Sequence, residues 1–533
     1  MPYFITNRCL QCDICVPQCP TGAIQVQGNE YWIDPTQCNE CEGYAPEPQC
    51  VLSCPVDSPV LLQAKRGRCK STDRPTTSLD LFLNGKNSPF ASAIVVWELC
   101  NILAQRQSLP WAMDIEHGFY YQRQVNRGRA SLKFWVSDTV VGNDGPVLME
   151  EPAQTAIASF DIRAACLHLV FAAHAAALEH PWREEFVVSD RQIEQYLGLD
   201  KRKDLNKLAK LTLIRELVEQ PCRFLVDIDW VRRGQVEAFS TYRSRIWHLV
   251  ETQHHFQEDE DGCKHLVGLT FRIQAGDWAA YFLNQEGYWS RTAFYQYGHL
   301  PQSLLLEVMS NWQQREGAAR MMLWLLFKTR MGEEQRITVQ TLMRVAYGEE
   351  KLAQAIAQRT SHKRLLHTFE SDLELLHYYG LKPVFDPETY PPEIQPLWAK
   401  LGDLPDDAEA ALEFWTNDGS QAQRLTDAAP RNKWKRIMNA RILRFELPED
   451  WETKPARSKT KKRRSTQRRT VTTAQIALSS TEIVTARKQL QLSQRALANQ
   501  VGKSQSWIRD VENGRFQPNE KDQALLRRVL KLG

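Results

Sequence analysis

Eight of the thirteen cysteines lie within the first 54 residues, and their spacing restricts what this part of the chain can fold into. They form two groups, each of which ends in a Cys-Pro pair. The spacing is C-x2-C-x2-C-x3-C-P for Cys9, Cys12, Cys15 and Cys19, and C-x2-C-x8-C-x3-C-P for Cys38, Cys41, Cys50 and Cys54. In a chain without a secretory signal, such a pattern is typical of metal binding rather than of disulfides.

The first group matches the spacing of bacterial ferredoxins residue for residue. Three thiolates two residues apart enclose three corners of a cubane cluster, and the cysteine before the proline reaches the neighbouring cluster. The spacing therefore predicts two 4Fe–4S clusters, held by Cys9, Cys12, Cys15 and Cys54 (cluster 1) and by Cys38, Cys41, Cys50 and Cys19 (cluster 2). Zinc is the alternative, but it takes four ligands in one closed tetrahedron and does not need two Cys-Pro endings.

The second group differs from small clostridial ferredoxins in one loop. Eight residues, 42–49, separate Cys41 from Cys50, where those proteins have two. The longer spacing resembles that of the Allochromatium-type and nitrogen-fixation-associated bacterial ferredoxins. Pro46 and Pro48 predict a stiff loop beside the second cluster, where it would change the exposure and hydrogen bonding of that cluster.

The net charge of +3 conceals a strong segregation of charge along the chain. Residues 1–69 have four Lys and Arg against seven Asp and Glu, whereas residues 451–470 have nine against one and residues 471–533 have ten against five. Such a basic end on an otherwise acidic protein indicates a polyanionic partner there. The segment 451–470 lacks apolar periodicity and is predicted to be a basic linker that contacts phosphates.

The chain has no segment suited to export or to crossing a membrane. No apolar run reaches the ~18 residues of a membrane helix. Arg8 and Cys9 stand where a signal peptide would need its apolar core. A cytoplasmic protein without membrane association is the expectation.

The last 63 residues predict four short helices with clear start and stop signals. Ser479 and Glu482 form a capping box, Ser493 and Ser504 are candidate N-caps of the next two helices, and Gly502 ends the second helix. Asn519 is the candidate cap of the last helix. Two short helices joined by a glycine-containing turn are typical of a helix-turn-helix.

The motif Leu-Ser-Gln-x-x-Leu-Ala, followed by Val-Gly-x-Ser and Trp-Ile-x-x-Val-Glu-Asn-Gly, resembles the Cro/phage-repressor (XRE-like) helix-turn-helix family over residues 483–530. The resemblance implies that Gln494 contacts phosphate and supports the recognition helix. It also implies that Gln505 and Ser506, with Arg509 or Asp510 one turn on, read base edges. The candidate DNA-binding residues are Gln494, Lys503, Ser504, Gln505, Ser506, Arg509, Asp510, Asn513 and Arg515.

The recognition helix is not basic, so phosphate affinity is expected from Lys503, Arg515 and the linker. A helix-turn-helix that serves as a protein-docking module is the alternative to DNA binding.

The middle of the chain has no phosphate loop, dinucleotide-binding glycine motif, zinc-protease motif or nucleophile elbow, so no enzyme is predicted. Two segments, about 185–275 and 335–390, each predict a short capped helix, a longer helix and a strand. Both are interpreted as winged-helix units, and two such units in one chain resemble plasmid replication initiators. Five cations near the first unit are candidates for DNA contact or for a solvated surface: Lys201, Arg202, Lys203, Lys207 and Lys210.

Three histidines flank the acidic turn of a predicted hairpin, in which residues 246–257 pair with residues 264–274. His254, His255 and His265 offer imidazole ligands for a metal, but a solvated hairpin tip is the favoured interpretation.

The predicted fold class is multidomain and mainly α with α+β parts. The domains are a small ferredoxin-like 2×4Fe–4S domain (1–70), a winged-helix-like, mostly helical central region (71–450), the basic linker (451–470) and an all-α helix-turn-helix domain (471–533).

This arrangement resembles a family of cyanobacterial transcriptional activators of nitrogen-fixation genes. The resemblance rests on specific motifs at both ends of the chain, and in the middle it extends only to the architecture. The resemblance implies a redox- or oxygen-responsive activator of nif promoters at low oxygen. Its partners would be double-stranded promoter DNA, a second copy of the chain, and RNA polymerase or a redox partner. The alternatives are a ferredoxin-type electron-transfer protein or ferredoxin-dependent reductase component that docks on DNA, and a replication initiator.

Overall fold

The computed structural model forms two compact units, Met1–Ala456 and Arg457–Gly533. It describes residues 3–6, 8–27, 30–61, 74–114, 118–140, 146–258, 264–331, 335–401, 407–409, 412, 414–416, 430, 432–451, 478–503, 505–513, 518 and 520–532. No single helix in this described part is long and apolar enough to cross a membrane. One bent pair, Glu150–Ser159 with Arg163–Ala176, meets that test only when the two helices are taken together.

The first 61 residues form two antiparallel strand pairs and one short helix. Strand β1 (Tyr3–Ile5) pairs with β4 (Pro59–Leu61), β2 (Ile24–Gln27) pairs with β3 (Glu30–Ile33), and helix α1 spans Gln49–Ser53. The core of this part is small and consists of Ala23, Ile24 and Ile33 together with Cys15 and Cys50. Because so few apolar side chains are buried, this domain needs a further source of stability.

The central region follows with helices and strands in alternation. Its first part contains β5 (Asn87–Ala91), α2 (Ile94–Gln105), β6 (Ala112–Asp114), β7 (Gly118–Val125), β8 (Ala130–Val136), α3 (Glu150–Ser159), α4 (Arg163–Ala176), β9 (Glu185–Ser189), α5 (Asp190–Tyr196), α6 (Lys207–Cys222), β10 (Phe224–Trp230), β11 (Phe239–Arg245), β12 (Trp247–Glu258), β13 (Lys264–Ala275), α7 (Trp278–Phe282), α8 (Gln285–Ser290) and β14 (Tyr297–Pro301).

Its second part is richer in helices. It contains α9 (Gln302–Asn311), α10 (Glu316–Lys328), β15 (Ile337–Thr338), α11 (Val339–Tyr347), α12 (Glu349–Ala357), α13 (Arg359–Tyr378), β16 (Lys382–Phe385), α14 (Leu397–Lys400), α15 (Lys433–Met438) and β17 (Arg441–Glu446).

Two three-stranded antiparallel sheets in this region share one topology. The orders are β9–β13–β12 and β15–β17–β16, so in each sheet the last strand in sequence lies in the middle. In each, a helix precedes the first strand and further helices separate the first strand from the second. We call these the first module (163–275) and the second module (316–446). The first module contains the segment 185–275, and the second contains the segment 335–390 and continues to β17.

A five-stranded antiparallel sheet, β6–β7–β8–β10–β11, extends from the first module through β10. Along β8 the side chains of Ala130, Leu132, Phe134 and Val136 are buried on one face. On the other face Ser131 and Lys133 are partly exposed and Trp135 is buried. The chain is therefore multidomain with mixed helices and sheets, and helices contain more of the described residues than strands do.

The core of the central region contains a buried histidine that links three elements. His168 on α4 is fully buried; its Nε2 lies 2.8 Å from the Val96 carbonyl oxygen on α2. The Trp247 indole on β12 donates to its Nδ1 at 2.8 Å. Since Nδ1 accepts, the proton is on Nε2, which donates to Val96. Burial lowers the pKa of His168 to about 4, so the ring is neutral at physiological pH.

The substitution His168→Gln should lower the free energy of unfolding at pH 7 by roughly 2–3 kcal/mol, because two buried hydrogen bonds lose their geometry. The folded-state pKa lies below the unfolded value of about 6.5, so the unfolded state binds the proton at a higher pH than the folded state does. The wild-type protein therefore loses stability as the pH falls. The deficit of the variant should therefore be about 2 kcal/mol smaller at pH 5 than at pH 7. Urea unfolding at the two pH values measures this, and an equal deficit at both would contradict a neutral buried His168.

The C-terminal unit consists, in its described part, of helices α16 (Ser480–Gln489), α17 (Gln494–Val501), α18 (Gln505–Glu512) and α19 (Glu520–Leu530). The side chains of Ser479 and Glu482 cap the start of α16 reciprocally, and Ser493 caps α17. Gly502 ends α17 with a φ of +65°, a conformation that glycine adopts without strain. The buried core is Leu478, Ile483, Ala486, Leu497, Ala498, Val501, Ile508, Val511, Leu526 and Leu530.

Candidate iron–sulfur and nucleic-acid sites

The eight N-terminal cysteines line two separate cavities. The first is lined by Cys9, Cys12, Cys15 and Cys54. The second is lined by Cys19, Cys38, Cys41 and Cys50. The structure thus brings together the same two sets of four that the spacing predicts, with Cys19 and Cys54 exchanged between the groups.

The pairing of the first and last strands explains this exchange. Strand β1 leads into Cys9, and β4 lies five residues beyond Cys54. The register places Ile5 opposite Pro59, and the Thr6 amide donates to the Ser58 carbonyl oxygen at 3.2 Å. The turn after α1 therefore returns Cys54 to the first cavity.

The shape of each cavity fits a cluster better than a single metal ion. Within the described residues, no three His, Cys, Asp or Glu side chains converge closely enough to hold one ion. The described cysteines are all free thiols. Four cysteines that line a cavity without converging suit a cubane, whereas a zinc ion would draw its four sulfurs to about 2.3 Å from one centre.

Backbone amides are directed at the sulfur atoms. The amides of Gln11, Gln49 and Ser58 donate to the sulfurs of Cys9, Cys41 and Cys54 at 3.4, 3.4 and 3.3 Å. The two cysteine-bearing loops also contain residues in the left-handed region of the backbone, with a φ of +56° at Gln11 and of +63° at Cys41. Bonds of this kind tune the potential and stability of a cluster. The Gln49 amide belongs to the eight-residue loop, so that loop does contribute to the hydrogen bonding of the second cavity.

Two thiols of the second cavity, those of Cys38 and Cys50, resist ionisation, whereas the pKa of Cys19 is lowered because its hydrogen bonds outweigh the effect of burial. Burial, followed by the neighbouring thiolates Cys38 and Cys41, raises the pKa of Cys50 to about 12. Burial likewise raises the pKa of Cys38. Four sulfurs in one pocket therefore need a cationic centre to become thiolates together, which an iron cluster supplies with release of protons.

Comparison with known proteins agrees with this geometry. A small fold around two four-cysteine cavities defines an iron–sulfur-binding domain, and residues 2–25 match the 4Fe-4S binding domain model. The chain is 46% identical over 57 residues to Ferredoxin-1 of Chlorobaculum tepidum, which covers 92% of that protein and 11% of this chain. It is 42% identical over 59 residues to the "Ferredoxin-like protein in nif region" of Bradyrhizobium diazoefficiens, covering 80% of that protein and 11% of this chain. Through its N-terminal domain, the chain belongs to the ferredoxin family.

A solved structure of domains 2 and 3 of RctB matches 55% of this chain and 95% of its own. The sequence identity is 12% and the TM-score 0.26, and a likeness this low has no bearing on the function of the central region.

In the C-terminal unit, α18 presents one polar face and one apolar face. Gln505 and Arg509 on α18, and Asn513 directly after its end, are exposed at intervals of four residues, whereas Ile508 and Val511 are buried. We call these three exposed positions the polar face of α18. Asp510 is partly exposed, with its Oδ1 3.9 Å from Arg509 Nε. Ser504, Arg515 and the side chain of Ser506 lie outside the described residues, as does the basic linker beyond Trp451.

A buried polar anchor joins α16, α17 and α18. Glu512 accepts hydrogen bonds from Arg487 at 2.5 and 3.1 Å and from Gln494 at 2.8 Å. Burial would raise the pKa of Glu512, but the bonds from Arg487 and Gln494 outweigh it and hold the pKa below its usual range. Gln494 therefore supports α18 directly. The sequence reasoning missed Arg487 and Glu512, although Glu512 stands within the Val-Glu-Asn-Gly motif.

Several cations that were expected to face a polyanion are paired within the protein. Lys503 lies 3.0 Å from Asp522 and 5.2 Å from the centre of the Trp507 ring. In the first module, Lys207 binds Asp190 at 2.5 Å and Glu194 at 2.7 Å.

The remaining cations near the first module differ in their surroundings, and Lys201 and Lys203 are exposed. Lys210 is only 8% exposed, and Arg202 pairs with Asp204 at 2.6 Å. Contact of Lys503 and of the cations near α6 with phosphate stays a prediction, since the side chains of Lys503 and Lys207 remain 34% and 43% exposed.

The hairpin histidines do not lie on a solvated tip. His255 is 8% exposed, with its Nε2 2.8 Å from Thr270 Oγ1. The His254 side chain is 12% exposed, and its Nε2 lies 3.1 Å from Asp34 Oδ2 in the ferredoxin part. Both are packed because β12 lies between the central core and the N-terminal domain. The turn at 259–263 is outside the described residues.

The substitution Glu512→Gln should destabilise the C-terminal unit by about 2–4 kcal/mol, because Arg487 keeps its charge in a buried position without a carboxylate. Hydrogen exchange of peptides covering 480–512 in the full chain measures the change. The control Asp510→Asn, at a partly exposed position, should change the stability by less than about 0.5 kcal/mol. Equal effects of the two substitutions would contradict the role of the anchor.

Proposed function

We propose that this protein is an iron–sulfur, oxygen- or redox-responsive transcriptional activator of the cyanobacterial CnfR (PatB) type, which acts on nif promoters at low oxygen. The observation that supports this most strongly is the occurrence, in one chain, of two four-cysteine cavities and a capped four-helix unit with an exposed polar helix face. The proposal places the protein in the cytoplasm and assigns it no enzymatic reaction.

In this proposal each cavity holds one 4Fe–4S cluster, with the two ligand sets as the cavities group them. When bound, such clusters supply one-electron redox chemistry and are lost on reaction with oxygen. Cys19 and Cys54 each belong to the cavity of the other half, so release of either set loosens both strand pairs. The folding of the domain and the retention of its clusters are therefore coupled.

The C-terminal unit is proposed to be a Cro-type helix-turn-helix that inserts α18 into the major groove. The Gln505 amide, at the start of α18, both donates and accepts, which matches N6 and N7 of adenine. Arg509 and Asn513 extend the same face toward bases or phosphates. The excess of cations over anions in residues 471–533, ten against five, supports a polyanionic partner.

The two modules of the central region are proposed to be winged-helix units that serve as a scaffold for a homodimer or for contact with RNA polymerase. The paired state of Lys207 and Arg202 favours this role over direct reading of DNA.

Promoter binding before and after exposure to air tests the proposal. Anaerobic protein should bind a nif promoter fragment at least about tenfold more tightly than the same sample after air, at one salt concentration. Gel shift and footprinting measure the affinity, and electron paramagnetic resonance reports the clusters. Equal affinity of the two samples would overturn the proposal.

An electron-transfer protein is the second candidate, because the relatives named above are ferredoxins. The substitution Cys19→Ser separates the two. An activator should lose promoter activation in cells, whereas an electron donor should lose electron transfer to its partner and still activate.

Base reading by Gln505 can be tested with a matched pair of substitutions. The change Gln505→Ala should weaken binding to the operator by roughly 5- to 100-fold and leave nonspecific binding nearly unchanged, because it removes a base contact. The control Gln500→Ala removes an exposed glutamine from α17 and should bind as the wild type does. Competition gel shifts measure both, and an equal effect of the two would argue against Gln505 as a reader.

A further inference from the structure

The ferredoxin domain is packed against α6 and β12 of the first module. The Trp32 ring on β3 lies 4.7 Å from the His254 ring and 4.9 Å from the Phe256 ring, measured between centroids. Directly after β3, the chain turns through residues 34–37 and delivers Cys38 to the second cavity. We call residues 34–37 the Cys38 turn.

Asp34 is the centre of this contact. It is fully buried, and its carboxylate accepts from the Thr36 amide at 2.9 Å and from the Thr36 hydroxyl at 2.6 Å. Its backbone carbonyl accepts from the Cys38 amide at 2.9 Å. The same residue is thus bonded to the ligand-bearing turn on one side and, through Oδ2, to Arg215 and His254 of the central region on the other.

Arg215 binds the Cys38 turn at several points. Its Nη1 donates to the Asp34 carboxylate and, at 2.7 Å, to the Thr36 hydroxyl. The side-chain amide of Gln37 is oriented so that both its oxygen and its nitrogen are hydrogen-bonded. Its oxygen accepts from Arg215, and its nitrogen donates to the Gly22 carbonyl oxygen. One guanidinium therefore contacts three of the four residues that precede the cysteine.

The base from which Arg215 projects is rigid. Its helix, α6, buries Leu211, Ile214 and Val218 in the central core. The Arg215 side chain is 12% exposed, and its Nε also donates to Glu219 at 2.8 Å. A planar, fully bonded guanidinium on a packed helix fixes the position of its partners better than a lysine would. If Arg215 were removed, a fully buried carboxylate would lose its main counter-charge.

From this geometry we infer that Arg215 is a positioning residue for the second cluster site. It holds the Cys38 turn so that Cys38 faces the cavity, and it ties the state of that cavity to α6 of the central region. The inference rests on the proposed function in assigning a 4Fe–4S cluster to the second cavity. Because the linkage is reciprocal, loosening of the turn should release α6, and loss of Arg215 should weaken retention of the cluster.

The test uses the full chain purified without oxygen. Arg215→Gln and Asp34→Asn should each lose roughly half of the bound iron, because one of two clusters is held poorly. The electron paramagnetic resonance signal of one cluster should disappear while the other remains. The visible absorbance of any cluster still bound at the second site should be lost in air at least about tenfold faster than in the wild type. The double variant should be no worse than either single variant, since both remove the same contact.

Two further variants separate positioning from general destabilisation. Arg215→Lys keeps the charge and should restore the signal only in part. Arg272→Gln breaks ion pairs with Glu185 at 2.6 Å and Glu251 at 2.9 Å within the first module, and it should keep the wild-type signals. In the wild type, hydrogen exchange of peptides 34–38 and 207–222 should rise after the cluster is lost. In Arg215→Gln the exchange of the same peptides should already be high before any cluster loss. The inference would be overturned if Arg215→Gln had the same spectra, iron content and hydrogen exchange as the wild type.

The outcome is distinct from that of the proposed function. If promoter binding ignores air but Arg215→Gln loses the second signal, the positioning role stands and the activator proposal fails. If promoter binding responds to air but Arg215→Gln behaves as Arg272→Gln does, the positioning role fails alone.

Discussion

The N-terminal domain depends on the exchange of Cys19 and Cys54 between its two groups of cysteines. Cys19 lies at the second cavity and Cys54 at the first, so neither half of the domain can complete its own site. The apolar core contains little beyond Ala23, Ile24 and Ile33 and is too small to stabilise the fold alone. Folding of these residues is therefore expected to be coupled to filling of the two cavities.

That equilibrium is connected to the central region at one buried carboxylate. Asp34 joins the turn before Cys38 to Arg215 and His254, and a buried charge held by several partners is sensitive to the loss of any of them. Helix α6 gives this contact a firm base because its other side is part of the main core. Among the basic residues in and near α6, Arg202, Lys207 and Arg215 are bound to carboxylates, whereas Lys201 and Lys203 are exposed.

The C-terminal unit has its own core and its own polar anchor. Glu512, Arg487 and Gln494 lock three helices together, and the exposed residues of α18 are thereby held on a rigid support. Rigid support matters because a reading helix must present its side chains at fixed positions relative to base edges. The positions of the exposed residues of α18 thus depend on a contact inside the unit.

The sequence alone determined the two cysteine sets and the helix boundaries of the C-terminal unit, because ligand spacing and N-caps such as Ser479 and Ser493 act over a few residues. The topology of the central sheets and the surroundings of His254 followed only from the tertiary structure. Asp34 and Arg215 are 181 positions apart, and no local pattern marks either as the partner of the other. Their meeting is decided by how α6 and β12 pack into the core, and that is a property of the whole fold.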